Sequence, residues 1–202
     1  MSGNEGARRA HPPKRKTDRR VQRTRDRLGD ALISLMREKS FDAITVQEVL
    51  DRAAVGRSTF YTHYRDKLDL FLSDLDEFLE AMATALSRGN DASDRVAPVR
   101  ELFAHVAEER RLYDALVESG RMHDFLELAQ GHFARGIERR LAELPRSRSH
   151  ARAPRAALAH ALAGSLLSLL AWWMALDAPA PPGEMDDIYH RLVWSGVNAP
   201  AD

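Results

Sequence analysis

The feature that most constrains the fold is a break between two short helical patterns, in the segment from Thr45 to Leu70. Thr45 followed by Glu48 is a capping-box pattern, in which each side chain satisfies a free backbone amide at the start of a helix. The apolar face behind it is interrupted by Ala-Val-Gly at residues 54–56. A second short helix is expected over about residues 57–64. Two short helices joined by a glycine-containing turn predict a helix-turn-helix.

Apolar residues recur every three or four positions along most of the remaining chain. After Asp66, which is expected to cap a further helix, the pattern runs through Leu68, Phe71, Leu72, Leu75, Phe78, Leu79 and Met82. Similar patterns predict helices over about residues 96–109, 111–119, 121–144, 156–176 and 184–197. No stretch alternates convincingly between apolar and polar residues, as a half-buried strand would. The sequence therefore predicts an all-α protein.

The formal net charge of zero hides an uneven distribution of charge. Residues 1–67 carry 16 Lys or Arg and 9 Asp or Glu, whereas residues 68–202 carry 14 and 21. A basic part joined to an acidic one indicates that only the first meets a polyanion. Residues 1–20 lack an apolar period and are expected to form a disordered basic tail. We therefore expect a tail at 1–20, a helix-turn-helix domain at 21–67 and a second domain at 68–202.

The second short helix offers polar groups suited to duplex DNA. A helix of this size fits the major groove, where its N-terminal side chains reach base edges. Arg57 can pair with a guanine as a base reader, or it can bind a phosphate instead. Hydroxyl, imidazole and ammonium groups suit bases or phosphate oxygens. Phe60 and Tyr64 are assigned to the core. The predicted DNA-contacting residues are Thr45, Arg57, Ser58, Thr59, Tyr61, Thr62, His63 and Lys67.

The run Thr59-Phe60-Tyr61, followed by His63, Tyr64 and Lys67, resembles the tetracycline-repressor (TetR/AcrR) family of bacterial transcription regulators. The sequence match is close over about residues 20–70. In the rest of the chain only the arrangement of the predicted helices is similar. The resemblance implies a three-helix DNA-binding domain, a fourth helix linking it to a helical ligand-binding and dimerisation domain, and a homodimer on double-stranded operator DNA. Three positions depart from the family pattern: Ala54 stands where the turn usually has glycine, Gly56 where a capping serine is common, and Tyr64 where phenylalanine is more usual.

A small-molecule effector is expected in the second domain, because a ligand cavity needs apolar walls with a few polar groups. The predicted wall residues are Phe78, Met82, Phe103, His105, Tyr113, Met122, Phe125, Phe133, Trp172 and Trp173. Neither a cofactor nor a metal site is expected. The chain has no cysteine, which excludes disulfides, thiolate metal sites and cysteine nucleophiles. No apolar stretch follows the basic N-terminus, so the expected location is the cytoplasm.

The segment from Ala156 to Leu176 contains no Asp, Glu, Lys or Arg and is long enough to cross a bilayer. Its many alanines and small polar residues favour instead a helix that is buried or forms a dimer, with no membrane contact. By the family pattern this helix and the last one pair with those of a second copy. The predicted interface residues are Ala161, Gly164, Ser165, Ser168, Leu192 and Val193.

Other classes of protein remain open at this point. A DNA-binding regulator could act without a small ligand, or could activate transcription instead of repressing it. An enzyme would need a clustered set of catalytic groups, and the sequence shows no nucleophile elbow, phosphate-binding glycine loop or His-Glu-x-x-His motif. A membrane-inserted protein would use the segment 156–176 as its span.

Overall fold

The computed structural model describes residues 14–88, 93–144, 154–176 and 179–197, and within these ranges the chain is helical, without strands. The helices are α1 (Lys14–Met36), α2 (Val46–Ala53), α3 (Arg57–His63), α4 (Lys67–Ala83), α5 (Ala85–Arg88), α6 (Val99–Glu108), α7 (Arg110–Glu118), α8 (Met122–Glu143), α9 (Arg155–Met174) and α10 (Pro182–Val197). A short 3₁₀ turn, Phe41–Ala43, lies between α1 and α2. The predicted all-α fold class is confirmed.

Helix α1 begins earlier than expected. The predicted tail ended at residue 20, but residues 14–20 belong to the helix. Pro12 and Pro13 immediately precede it, and proline is favoured at the first helical turn, where its missing N–H is not needed. The Arg- and Lys-rich segment that follows has good helix propensity despite its lack of an apolar period. Residues 1–13 of the predicted tail lie outside the described residues.

Helices α1 to α3 form a three-helix unit around a single apolar centre, which we call the headpiece (residues 14–66). Its buried core contains Leu28, Leu32, Leu35, Met36, Phe41, Ile44, Val49, Leu50, Phe60 and Tyr64. The capping box at the start of α2 is confirmed: the Thr45 hydroxyl accepts from the Glu48 amide, and the Glu48 carboxylate accepts from the Thr45 amide. Phe60 and Tyr64 are buried, as predicted.

Helix α4 starts at the headpiece and runs into the second part of the molecule. Its N-cap is Asp66, as predicted, whose carboxylate accepts from the Leu68 and Asp69 amides at 2.9 Å. Farther along, α4 packs on α8 so closely that any side chain at Gly136 would collide with the Ala83 carbonyl. Helices α6 to α10 complete this part, with α9 along α8 and α10 against α6.

Helix α9 has two different faces. One face, including Ala163, Leu166 and Leu170, is fully buried. On the other, Ala161, Ser165, Ser168 and Trp172 are exposed. By length and composition α9 could cross a membrane, but here it covers α8 as a core helix does. The loop predicted between Pro145 and Pro154 lies, up to residue 153, outside the described residues.

Candidate nucleic-acid interface and effector cavity

Helix α3 presents a polar face to solvent above a buried apolar anchor. Phe60 is fully buried, and its neighbour Tyr61 is 48 % exposed. Arg57 lies over the Tyr61 ring, 5.6 Å from its centroid. His63 is half-buried beside Tyr64. The residues of α3 that are exposed together are Arg57, Ser58, Thr59, Tyr61 and Thr62, five of the predicted DNA-contacting residues.

The turn before α3 is closed by a strained residue and an arginine. Ala54 has φ 48° and ψ 50°, a left-handed conformation that costs an alanine roughly 1 kcal/mol. This is the position where glycine is usual in the family pattern. Arg27 of α1 donates to the Ala53 carbonyl and, at 3.1 Å, to the Ala54 carbonyl. The guanidinium therefore satisfies free carbonyls at the end of α2 and holds the angle between α2 and α3.

Lys67, one of the predicted DNA-contacting residues, does not face solvent as a free cation in this structure. Its ammonium donates to three carbonyls, at 2.8 Å to Phe41, 3.1 Å to Asp42 and 2.7 Å to Ile44. These bonds use all three N–H donors of the lysine. Burial lowers the pKa of Lys67. In this structure the side chain fixes the 3₁₀ turn to the start of α4 and has no N–H left for a phosphate.

Thr45 is likewise occupied within the headpiece. Its hydroxyl accepts from the Glu48 amide and donates to the Glu48 carboxylate at 2.9 Å. Hydrogen bonds from Lys39 and from Thr45 lower the pKa of Glu48 to about 2. Thr45 is exposed, but its polar atom stabilises the start of α2, so its predicted DNA contact is not supported by this geometry.

A cavity of about 120 Å³ lies where α1 and α4 meet α6, α7 and α8. Four predicted ligand contacts line it: Phe78, His105, Tyr113 and Phe125. Their rings form a continuous series, with centroids 4.5 Å, 6.0 Å and 5.5 Å apart in chain order. Burial lowers the pKa of His105 and raises that of Tyr113. Both polar rings are therefore neutral at pH 7.

The other predicted ligand contacts do not line this cavity. Phe103 is two positions from His105, about 200° around the helix, so the two face opposite ways. Phe103 instead packs on Trp173, with centroids 5.1 Å apart. The Trp173 indole donates to the Ala180 carbonyl at 2.7 Å, while adjacent Trp172 points outward and is 55 % exposed. Three further residues belong to the core or pack against it, away from the cavity: Met82, Met122 and Phe133.

Sequence reasoning missed several cavity residues contributed by α1 and α4. Ile33 and Arg37 come from the headpiece, and Phe71 and Asp74 from α4. Arg37 pairs with Glu109 through two hydrogen bonds, of 2.7 Å and 2.6 Å. A signal for Asp74 was present: it stands three residues after Phe71 and four before Phe78, on the apolar face of its helix.

An apolar groove runs between α9 and α10 on the surface of the protomer. Of the predicted interface residues, Ser165, Ser168, Leu192 and Val193 line it, together with Trp172. Leu192 is 68 % exposed, which is unusual for a large aliphatic side chain. Ala161 is also exposed. Gly164 differs, because a Cβ there would meet Gln130 of α8 at 3.8 Å, so this glycine faces a helix of its own protomer.

Comparisons with known proteins agree with the headpiece geometry. The family model of bacterial regulatory proteins of the tetR family matches residues 28–73. The HTH-type transcriptional regulator AcrR of Shigella flexneri is 31% identical over 97 residues, covering 46% of this chain and 45% of AcrR. The chain spans less than half the length of the curated relatives it matches.

Solved structures extend the similarity over the whole fold. A TetR transcriptional regulator from Streptococcus agalactiae superposes with a TM-score of 0.61 at 26% identity, covering 90% of this chain and 99% of that one. RolR in complex with the ligand resorcinol has a TM-score of 0.63 at 18% identity, covering 92% of this chain and 98% of RolR. At that identity the likeness to RolR is one of fold.

Proposed function

Since the chain belongs to the TetR family of bacterial regulatory proteins, we propose that it is a cytoplasmic transcriptional repressor that a small molecule releases from operator DNA. The observation that carries this proposal is helix α3, whose exposed polar face stands on the buried Phe60. A helix of seven residues is about 10 Å long, which suits the major groove. Arg57 is the residue best placed to reach a base edge, because it opens α3.

Three tethered residues, two in the headpiece and one at the start of α4, act indirectly in this proposal. Lys67 and Thr45 hold the 3₁₀ turn and the start of α2, and Arg27 holds the end of α2. All three set the orientation of α3 within the headpiece. They are therefore positioning residues, and their loss disturbs DNA binding through the orientation of α3.

A second copy of the chain completes the DNA-binding unit. The groove between α9 and α10 exposes Trp172 and Leu192 to solvent, and small residues such as Ser165 and Ser168 let another helix approach closely. A two-fold dimer would place two α3 helices on successive major grooves, about 34 Å apart. The operator is then an approximate palindrome.

The cavity beside Phe78 and His105 is the proposed effector site. Its walls include Ile33 and Arg37 of the headpiece, so a bound molecule touches both parts of the chain. Phe71 of the cavity wall forms a second link between the cavity and the headpiece, because its ring lies 5.6 Å from that of Phe41 in the 3₁₀ turn. An effector that favours another spacing between α1 and α4 shifts the population toward a state in which the two α3 helices no longer match the operator.

The test is to recover and sequence the genomic DNA fragments that the purified full-length protein retains. The experiment is repeated with protein variants that carry substitutions on α3. The wild type is expected to enrich one palindromic sequence. Arg57→Ala is expected to relax the preference at one base pair in each half-site, by roughly 1–3 kcal/mol. Arg111→Ala removes the same charge from an exposed site on α7 and should leave the preference unchanged. No enriched sequence with the wild type contradicts the proposed function.

A further inference from the structure

The cavity between α1, α4 and α7 contains a carboxylate without a partner. Two carboxylates line this cavity, Asp74 and Glu109. Glu109 is paired with Arg37 by two short hydrogen bonds. Among the residues that the structure describes, none hydrogen-bonds to Asp74 or forms an ion pair with it. An unpaired carboxylate in an apolar wall is destabilising unless something else binds it.

The surroundings of Asp74 strengthen this conclusion. Burial, together with the negative charges of Glu77, Asp30 and Asp26, raises its pKa to about 6 against the opposing charge of Arg25. The carboxylate rests against Gly29 of α1, where a Cβ atom would collide with Asp74 Oδ1. Only a glycine leaves the room that this carboxylate occupies. The close contact places the acid between the headpiece and α4.

Four aromatic rings form much of the remaining wall, and the other two charged groups of the lining, Arg37 and Glu109, pair with each other. The rings of Phe78, His105, Tyr113 and Phe125 follow one another around the cavity. Because its pKa is lowered, His105 brings no positive charge at pH 7. Aromatic faces attract organic cations, and a nearby carboxylate adds direct charge pairing. The volume of about 120 Å³ is close to the roughly 150 Å³ of an engineered cavity that takes up benzene.

We propose that the effector is an organic cation of single-ring size, whose ammonium group pairs with Asp74 while its ring packs on Phe78, Tyr113 and Phe125. This inference rests on the proposed function of the cavity as the effector site. The pairing neutralises a carboxylate that the fold itself leaves unsatisfied. It also joins α4 to α1 through the ligand, because Asp74 already contacts Gly29.

The test uses calorimetric titration of the full-length protein at pH 7.5 with three ring compounds of similar size and different charge. Benzylamine is a cation at this pH, benzyl alcohol is neutral and benzoate is an anion. We expect benzylamine to bind about tenfold more tightly than benzyl alcohol, and benzoate not to bind measurably. Equal affinities for the amine and the alcohol, or no binding of the amine at millimolar concentration, would overturn the proposal.

Two variants assign the effect to Asp74. Asp74→Asn keeps the shape of the side chain and removes its charge, so the ratio of the two affinities should fall to about one. Glu118→Gln makes the same change of charge at an exposed site on α7 and should keep the tenfold ratio. A ratio that persists in Asp74→Asn contradicts the role of this residue.

The pH dependence gives a readout on the unmodified protein. Only the ionised carboxylate pairs with the amine, and about a tenth of it remains ionised at pH 5, so benzylamine should bind about fivefold more weakly at pH 5 than at pH 7.5. The other titratable or charged groups around the site are Arg25, Asp26, Asp30, Arg37, Glu77, His105, Glu109 and Tyr113. If one of them were responsible, the pH dependence would survive in Asp74→Asn; we expect it to disappear.

Failure of this proposal and failure of the proposed function can be told apart. Calorimetry reports on the cavity without DNA, and the recovery of operator fragments reports on α3 without ligand. A protein that binds its operator but does not prefer the amine remains a DNA-binding regulator with an effector of another class. A protein that prefers the amine but recovers no DNA keeps the cation site and loses the proposed function.

Discussion

Replacing Asp74 by asparagine should stabilise the protein at neutral pH but much less in acid. In the folded protein the pKa of Asp74 is raised from 3.8 to about 6, so the folded state binds more protons than the unfolded state between these values. Stability that comes from the protonated carboxyl is therefore complete below about pH 4 and is lost as the pH rises through 6. Asparagine does not titrate and avoids this loss.

The size of this stability difference follows from the shift in the pKa of Asp74. Two pKa units correspond to roughly 3 kcal/mol at most. Asp74 is only half-buried and partly screened by solvent, which reduces the figure to about 1–2 kcal/mol. The assay is urea unfolding of wild type and Asp74→Asn at pH 4 and pH 7.5, at one fixed protein concentration. The advantage of the variant should be larger at pH 7.5 by that amount. A difference between the two proteins that does not change with pH would refute the reasoning.

Three further predictions concern other parts of the molecule. Ala54→Gly relieves the left-handed backbone before α3 and should stabilise the protein by about 1 kcal/mol in thermal unfolding; a loss of stability would contradict the strain assigned to this turn. Lys67→Met removes three hydrogen bonds to carbonyls and should destabilise the protein by roughly 2 kcal/mol, while the salt dependence of DNA binding stays the same at a temperature where the variant is folded; a flatter salt dependence would instead restore the phosphate contact. Leu192→Glu places a charge on the exposed groove of α9 and α10 and should yield monomers in sedimentation velocity, whereas an unchanged dimer would locate the interface elsewhere.

The local structure of the headpiece could be predicted because its signals are local. The capping box of Thr45 and Glu48, the cap at Asp66 and the anchors Phe60 and Tyr64 each depend on residues close together in the chain. Spacing and capping chemistry identify such features without tertiary information. The resemblance to the tetracycline-repressor family then added the expected order of domains.

The roles of the charged residues could not be predicted in the same way. The residues next to Lys67 in the sequence do not distinguish a lysine that contacts phosphate from one that binds the carbonyls of residues 41–44. Those carbonyls come within reach of Lys67 only when the 3₁₀ turn has folded. Helix α1 starts at Lys14 because helix propensity and the preceding prolines outweigh the missing apolar period.

The apolar residues that line the cavity could not be predicted from the sequence either. A list of large side chains on predicted helices cannot separate Phe78 from Phe103, because both fit the apolar period and only helix packing selects the one that faces a void. Asp74 and Gly29 indicate the position of the cavity better than the large apolar side chains do. A carboxylate on an apolar helix face and a glycine inside a helix each interrupt a pattern, and here they interrupt it at the same contact.

The most direct test of the central claim is fluorescence anisotropy of a labelled operator fragment, titrated with the protein over a range of salt concentrations. The fragment is the palindrome recovered from genomic DNA. We expect saturation at two protomers per duplex and an affinity that falls linearly with the logarithm of salt concentration, since cationic groups of each headpiece displace counterions from the phosphates. Binding of a single protomer, or an affinity that does not respond to salt, would contradict the account of two α3 helices docked on one duplex.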